Sequence, residues 1–279
     1  MHLIQAVLLG IVQGLTEFLP VSSSAHLVIF QHLFGFNQPE LLFDVALHFG
    51  TLFAVFAYYR KEIRSIIQQS YLGLISWFQN KNRSVVFDQF PDFKFALHVL
   101  LASIPTALIG FAFKDYFEAM FGSAEWTSIQ LIMNAGILWL AVVPLKHPER
   151  VSGLNWKKGL LIGVAQGIAI VPGISRSGIT IVTALWLGMQ ADESVKFSFF
   201  LSIVAILGAG ILEFHHTHPA SSFAMSEILL GSFFAFGAGW LSIVYLLKIL
   251  RRGKFHMFAY YCLMVGIVSL IGFRYLGVF

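Results

Sequence analysis

The chain has 279 residues, 57% of them hydrophobic and only 11% charged, with a mean hydropathy of +0.78. A soluble domain of that length needs more charge to cover its surface, so the composition excludes an ordinary soluble globule and points to the bilayer as solvent. The formal net charge of +4 sits beside the apolar runs, as a topology signal does, and no nucleic-acid partner is expected.

In chain order, the first region, Met1–Leu33, is apolar at both ends and broken in the middle by the polar stretch from Thr16 to His26. Its halves, read as about ten to fourteen residues each, are too short to cross the hydrocarbon and suit a re-entrant helical hairpin. Three predicted spans follow, Leu41–Tyr59, Phe95–Phe113 and Ser128–Pro144. Between the first two, Ile63–Phe78 is amphipathic and fits a helix lying along the interface. A second broken region, Lys157–Leu187, carries Val-Pro-Gly-Ile-Ser-Arg-Ser-Gly-Ile-Thr at its centre, and the spans Val195–Leu212, Ile228–Leu247 and Phe258–Tyr275 complete the chain. Non-helical backbone at membrane depth persists only inside protein or against a wet cavity, so both breaks mark a site. Cys262, the only cysteine, lies in an apolar run and has no disulfide partner, and no Cys/His zinc spacing exists. No positive n-region precedes the first apolar run, so no cleavable signal peptide is expected.

Basic residues assign the sides. Arg60, Lys61, Arg64, Lys81, Arg83 and Lys94 follow the first span; Lys146, Arg150, Lys157 and Lys158 precede the second hairpin; Lys248, Arg251, Arg252 and Lys254 surround Gly253. The segments Lys114–Trp126 and Phe214–Glu227 lack that excess. Positive loops are cytoplasmic, which puts both chain ends outside, with the first hairpin entering from the outside and the second from the cytoplasm.

Gly10-Ile11-Val12-Gln13-Gly14-Leu15 matches Gly163-Val164-Ala165-Gln166-Gly167-Ile168, and at the same offset Ser22 falls on Ser175 and Ser24 on Ser177. Each half is one hairpin plus three spans, and an odd number of spans inverts the second copy. The expected fold is therefore an all-α polytopic membrane protein with about six transmembrane helices and two re-entrant hairpins in an inverted repeat. A single membrane domain, 1–279, divides into 1–144 (hairpin 1–33) and 157–279 (hairpin 157–187).

Chemistry concentrates in the two breaks. Gln13 and Glu17 share a helix face, and Ser22, Ser23, Ser24 and His26 follow Pro20. A carboxylate within a membrane segment is a functional candidate by default, the structural alternative being a polar cluster that caps a half-helix. In the second break, a helix starting near Ser175 aims free amides at the turn beside Arg176 and nearby hydroxyls, an anion site suited to phosphate. Arg176 also reads as a structural partner of Glu17, and the two readings are compatible. Asp44 and His48 share a face at the outer end of the first span and line the approach. His215, His216 and His218 form a loop tract better read as solvated than as a metal site.

The stretch from Gln13 to His26, together with Pro172-Gly173-Ile174-Ser175-Arg176-Ser177-Gly178-Ile179-Thr180, resembles the two signatures of the bacterial undecaprenyl-diphosphate phosphatase family, linked to bacitracin resistance. The likeness runs nearly end to end and includes Phe43-Asp44-Val45-Ala46-Leu47-His48. Gln13 stands where the family has Glu or Gln, and Ala25 where Gly is common. The resemblance implies hydrolysis of undecaprenyl diphosphate to undecaprenyl phosphate and inorganic phosphate, which recycles the lipid carrier for peptidoglycan. It also implies an inner-membrane location with the site reached mainly from the periplasm. The expected partners are the lipid substrate and membrane lipids, with a second copy of the chain as a candidate.

On this reading Arg176 and the amides near Gly173 and Ser175–Ser177 neutralise the diphosphate, Ser22 and Ser24 border it, and Thr180 adds a hydrogen bond. Glu17 with Gln13 holds a divalent cation, Mg²⁺ or Ca²⁺, or Glu17 acts as base. Ser23 is the expected nucleophile with His26 as base or leaving-group acid, and attack by water stays open. The rival class is a transporter or lipid flippase, because inverted repeats with broken helices are typical of carriers. Glu17, Ser23 and His26 favour an enzyme, since anion carriage needs none of them. The acid-phosphatase-like lipid phosphatases fit poorly, their signature motifs being absent.

Overall fold

A computed structural model describes residues 2–36, 40–79, 83–121, 123–146, 153–214 and 222–275; the His215, His216 and His218 tract lies outside them. Every regular element among the described residues is helical: α1 (His2–Phe18), α2 (Ser23–Leu33), α3 (Leu41–Tyr58), α4 (Arg60–Gln79), α5 (Arg83–Gln89), α6 (Pro91–Ala112), α7 (Lys114–Phe121), α8 (Ala124–Trp139), α9 (Val142–Lys146), α10 (Trp156–Ile168), α11 (Arg176–Trp186), α12 (Ala191–Phe214), α13 (Met225–Arg251) and α14 (Met257–Tyr275).

Five stretches are long and apolar enough to cross a bilayer: α6, Ala124–Leu145 (α8 with α9), α12 as far as Ile211, α13 and α14. The sixth comes from α3, which is followed by α4 after a bend of 80°. The chain is thus a multi-pass membrane protein, with spans where the apolar runs placed them. Several start earlier than those runs. The helices α6, α8 and α13 begin in first turns containing Asp92, Glu125 and Glu227. Acids are favoured at a helix N-terminus even though they end an apolar run, so hydropathy marks the hydrocarbon stretch and misses the interfacial turn.

Both broken regions fold as helix, break, helix. The first hairpin is less even than expected, because α1 has 17 residues and α2 has 11; α1 alone is about 26 Å long. The second pairs 13 residues with 11. Ser22 caps α2 by accepting from the Ala25 amide, and Ser175 caps α11 by accepting from the Gly178 amide. Aligned serines therefore do the same local job in the two hairpins.

Glycines set how closely the long halves dock. A methyl group on Gly10 would strike the Gly231 carbonyl of α13, and one on Gly163 would strike the Ala102 carbonyl of α6. Those two aligned positions bring α1 against α13 and α10 against α6, the backbone-to-backbone approach that small residues permit between membrane helices. The remaining core is apolar, with Phe18, Leu131, Leu138, Ile162, Phe197 and Phe199 all but inaccessible where the hairpins meet α8 and α12.

Candidate active site

The two breaks lie against each other, clasped by one side chain from α8. Asn134, wholly buried, donates from Nδ2 to the Pro20 carbonyl (3.1 Å) and accepts at Oδ1 from the Ser175 amide (3.0 Å). Each of those backbone groups sits in a break, where no helix partner exists, and a side-chain amide can donate to one and accept from the other. Further links are Gly173 N–H to Ser24 Oγ (3.5 Å) and Ser177 Oγ to the Leu19 carbonyl (3.4 Å).

Glu17 is the centre. It is the last residue but one of α1, with its side chain 2% exposed, and groups from four helices converge on it. Gln13 Nε2, one turn earlier, donates to Oε2 at 3.0 Å, and Ser23 Oγ at the start of α2 donates to the same oxygen at 2.6 Å. His48 Nε2 of α3 lies 3.6 Å from Oε2, and the Arg176 guanidinium of α11 is ion-paired with Oε1. Ser23 is presented by a turn in which Ser22 has φ 66°, the one positive φ at a non-glycine among the described residues. Such backbone costs about 1–3 kcal/mol and is held only by its surroundings, which is a property of functional turns. Gly173, at φ 104°, makes the matching turn in the second break.

Exposure gives the cluster a direction. The carboxylate is sealed, while the side chains of Arg176 and His48 are 24% and 28% exposed, so an approaching anion meets these two side chains before the carboxylate. Ser23 and Ser24 are half-buried, and Ser22, Ser175 and Ser177 are buried. Within α11 the Gly178 amide is taken by Ser175 Oγ and that of Ile179 by the Ser175 carbonyl. The first-turn amides of Arg176 and Ser177 have no partner inside the helix.

Two expected contacts are not formed. Ser23 is paired with Glu17 rather than with His26. His26 is buried, its Nδ1 2.8 Å from the Ser22 carbonyl and its Nε2 2.8 Å from the Tyr261 hydroxyl, with the two rings stacked at 5.7 Å. A carbonyl only accepts, so Nδ1 carries the proton and neutral Nε2 accepts from Tyr261. Thr180 is also fully buried, its hydroxyl spent on the Arg176 carbonyl (2.7 Å) and Ser198 Oγ (2.6 Å). It steadies the first turn of α11 against α12 instead of reaching into the opening.

Sequence reasoning passed over Asn134 and Tyr261. Asn134 had a usable signal, an amide in a predicted span. Tyr261 had none, since a tyrosine in an apolar run is ordinary. Asp44 belongs behind the site: it accepts from Gln31 Nε2 at 2.7 Å, and its carbonyl receives His48 Nδ1 at 2.7 Å. That contact fixes the proton on Nδ1 and turns Nε2 toward Glu17.

A family model described as bacitracin resistance protein BacA matches residues 6–268. The undecaprenyl-diphosphatase of Desulforapulum autotrophicum is 41% identical over 275 residues, covering 97% of this chain and 98% of that protein. Proteins of the same description from Desulfosudis oleivorans and the archaeon Korarchaeum cryptofilum are 40% and 39% identical, covering 98% and 97% of this chain and 100% and 99% of their own lengths.

Proposed function

The chain belongs to the bacitracin resistance protein BacA family and has undecaprenyl-diphosphatase activity, and from that premise we propose how the converged groups carry the reaction. The diphosphate of undecaprenyl diphosphate binds over the junction of the two hairpins. Arg176 and the amides of Arg176 and Ser177 take its terminal phosphate oxygens, and the prenyl chain leaves sideways between spans. Phosphoryl transfer asks mainly for positioning and charge neutralisation, which a guanidinium at a helix N-terminus supplies.

Ser23 Oγ attacks the terminal phosphorus while Glu17 takes its proton. The bond from that phosphorus to the bridging oxygen breaks, and undecaprenyl phosphate departs with the proton returned from Glu17. Water then attacks the phosphoserine, Glu17 takes the water proton, and the serine oxygen recovers it as inorganic phosphate leaves. The 2.6 Å contact between Ser23 and Glu17 carries this reading. His26 is a positioning residue: it holds the Ser22 carbonyl, and so the turn presenting Ser23, from the side braced by Tyr261. Gly173, Ser22, Ser24, Ser175 and Thr180 shape the turns around the phosphates.

A divalent cation, Mg²⁺ or Ca²⁺, fits beside Glu17. Gln13 Oε1 is a buried acceptor with no partner, next to a carboxylate that Gln13 already touches. Among the described residues no cluster of three His, Cys, Asp or Glu exists, so Glu17 and Gln13 would hold such a cation only in part, as is common for Mg²⁺. The chemistry such a cation would supply there is neutralisation of the substrate's negative charge.

The rest of the reading follows from topology. We assign the two halves, 1–144 and 157–279, as an inverted repeat, supported by the paired roles of Gly10 with Gly163 and Ser22 with Ser175. The enzyme is placed in the plasma membrane with both ends and the opening on the periplasmic side, releasing undecaprenyl phosphate for envelope synthesis. The test is phosphate release from undecaprenyl diphosphate by the purified chain, with and without EDTA, for wild type and Glu17→Ala, Ser23→Ala and Arg176→Ala. Loss in folded variants supports the assignment, and EDTA inhibition reversed by Mg²⁺ supports the cation. Lipid binding without release under every metal condition would leave a carrier as the better reading.

A further inference from the structure

Helix α4 meets the rest of the protein on one face only. Asp92, in the first turn of α6, accepts from Ser65 Oγ (2.5 Å) and Gln69 Nε2 (3.2 Å), and its amide donates to Gln69 Oε1 (2.9 Å). One turn further on, the Phe93 ring lies against Gly73. Residues 65, 69 and 73 are four apart and so define the inner face. The opposite stripe carries Arg60, Arg64, Ile67, Tyr71, Ile75 and Phe78, with Ile67 66%, Tyr71 67% and Phe78 81% exposed. A continuous apolar stripe of that kind is not left to water, and its position immediately after a span at an 80° bend puts it at membrane level.

The cationic end of the stripe forms a groove. At the elbow between α3 and α4 a cavity of about 550 Å³ is lined by Phe56, Arg60, Ile63, Arg64, Ile67 and Gln68. Arg60 Nη1 donates to the Ala57 carbonyl at 3.1 Å, which anchors that guanidinium at the end of the span with its remaining donors available. Among the described residues neither Arg60 nor Arg64 has an ion-pair partner. Two guanidiniums one turn apart, walled by a phenylalanine and two isoleucines, are complementary to a phosphate with apolar chains attached.

We infer that this elbow groove binds the headgroup of an anionic glycerophospholipid, its phosphate between Arg60 and Arg64 and its acyl chains running along Phe56, Ile63 and Ile67. The groove is built from α3 and α4 alone and shares no residue with the phosphatase site. Charge complementarity, the apolar walls and continuity with a span name the occupant: a basic pocket at the end of a membrane helix takes an anionic lipid in preference to a zwitterionic one.

Native mass spectrometry of the full chain released from nanodiscs of equimolar phosphatidylglycerol and phosphatidylcholine tests this. Wild type is expected to retain phosphatidylglycerol preferentially, and Arg60→Gln with Arg64→Gln to bind it about thirtyfold more weakly. The control pair Arg252→Gln with Lys254→Gln removes the same charge elsewhere and keeps the preference. Phosphate release in neutral detergent reports that each variant is folded. For wild type alone, raising the salt lowers retention, because the contact is charge-held near the surface. Retention unchanged in the groove variant, equal loss in the control pair, salt-independent retention, or a polyprenyl phosphate as the retained lipid would each overturn the assignment.

Discussion

Ser23 Oγ donates to Glu17 Oε2 across 2.6 Å, although the two residues lie in different helices on either side of the Pro20 break. The break turns the chain so that the last residue but one of the apolar approach and the first residue of the return helix face one another. The same Glu17 carries Arg176 from the other half of the molecule on its second oxygen. In the proposed mechanism the nucleophile and the phosphate-binding guanidinium thus meet on the carboxylate that serves as base.

Ser23→Ala and Glu17→Gln are each expected to lower kcat by about 10³-fold or more, with the double variant little worse than the poorer single one. Residues acting as a unit are non-additive. Acid quenching with substrate labelled on its terminal phosphate should trap label on wild type and none on Ser23→Ala. A Ser23→Ala enzyme with wild-type kcat and a raised KM would transfer the nucleophile role to water.

Arg176→Lys keeps the charge and loses the planar fork, and turnover should fall about 10²-fold. Inorganic phosphate should raise the thermal midpoint of wild type, and Arg176→Gln should fall further in turnover and lose that rise. Equal activity of Lys and Arg at this position would show that charge without geometry suffices.

His26 separates a base from a positioning residue. His26→Asn retains an N–H donor for the Ser22 carbonyl and should keep more than a tenth of wild-type kcat, while His26→Ala loses at least about tenfold more, roughly 1.4 kcal/mol. Tyr261→Phe removes one hydrogen bond to Nε2 and should cost about fivefold. Asn as inactive as Ala would restore proton transfer to His26.

Asn134→Ala leaves the Ser175 amide buried without a partner and the Pro20 carbonyl with only the weak Cys262 thiol at 3.8 Å. The expected cost is about 2–4 kcal/mol, read as a lower thermal midpoint in detergent, with kcat lost in protein that is still folded because the two breaks separate. A variant with wild-type kcat would show that the clasp is not needed for register.

Gly10→Ala and Gly163→Ala should each destabilise by about 1–3 kcal/mol, since the added methyl meets backbone that cannot yield cheaply. Gly136→Ala, where nothing lies within 4 Å, is the control and should be neutral or slightly stabilising. Parallel behaviour of the two aligned glycines, measured by thermal unfolding, is what an internal repeat requires.

Much was open to reading before any coordinates. Composition and the length of the apolar runs determined a multi-pass helical membrane protein, because the bilayer forces each backbone polar group into a helix and fixes how long that helix must be. Polar residues in those runs marked Glu17, Ser23 and Arg176 for the same reason: their cost in hydrocarbon makes them conspicuous. What the tertiary structure decided is which of them touch. That Ser23 meets Glu17 and not His26, that His26 leans on Tyr261 235 positions away, and that Thr180 turns to Ser198 are matters of helix rotation and break geometry. Asn134 joining two breaks 155 residues apart, from Pro20 to Ser175, belongs with them. Hydropathy has a period along the chain and carries no distance between helices, so the pairing of groups across the bundle is written only in its packing.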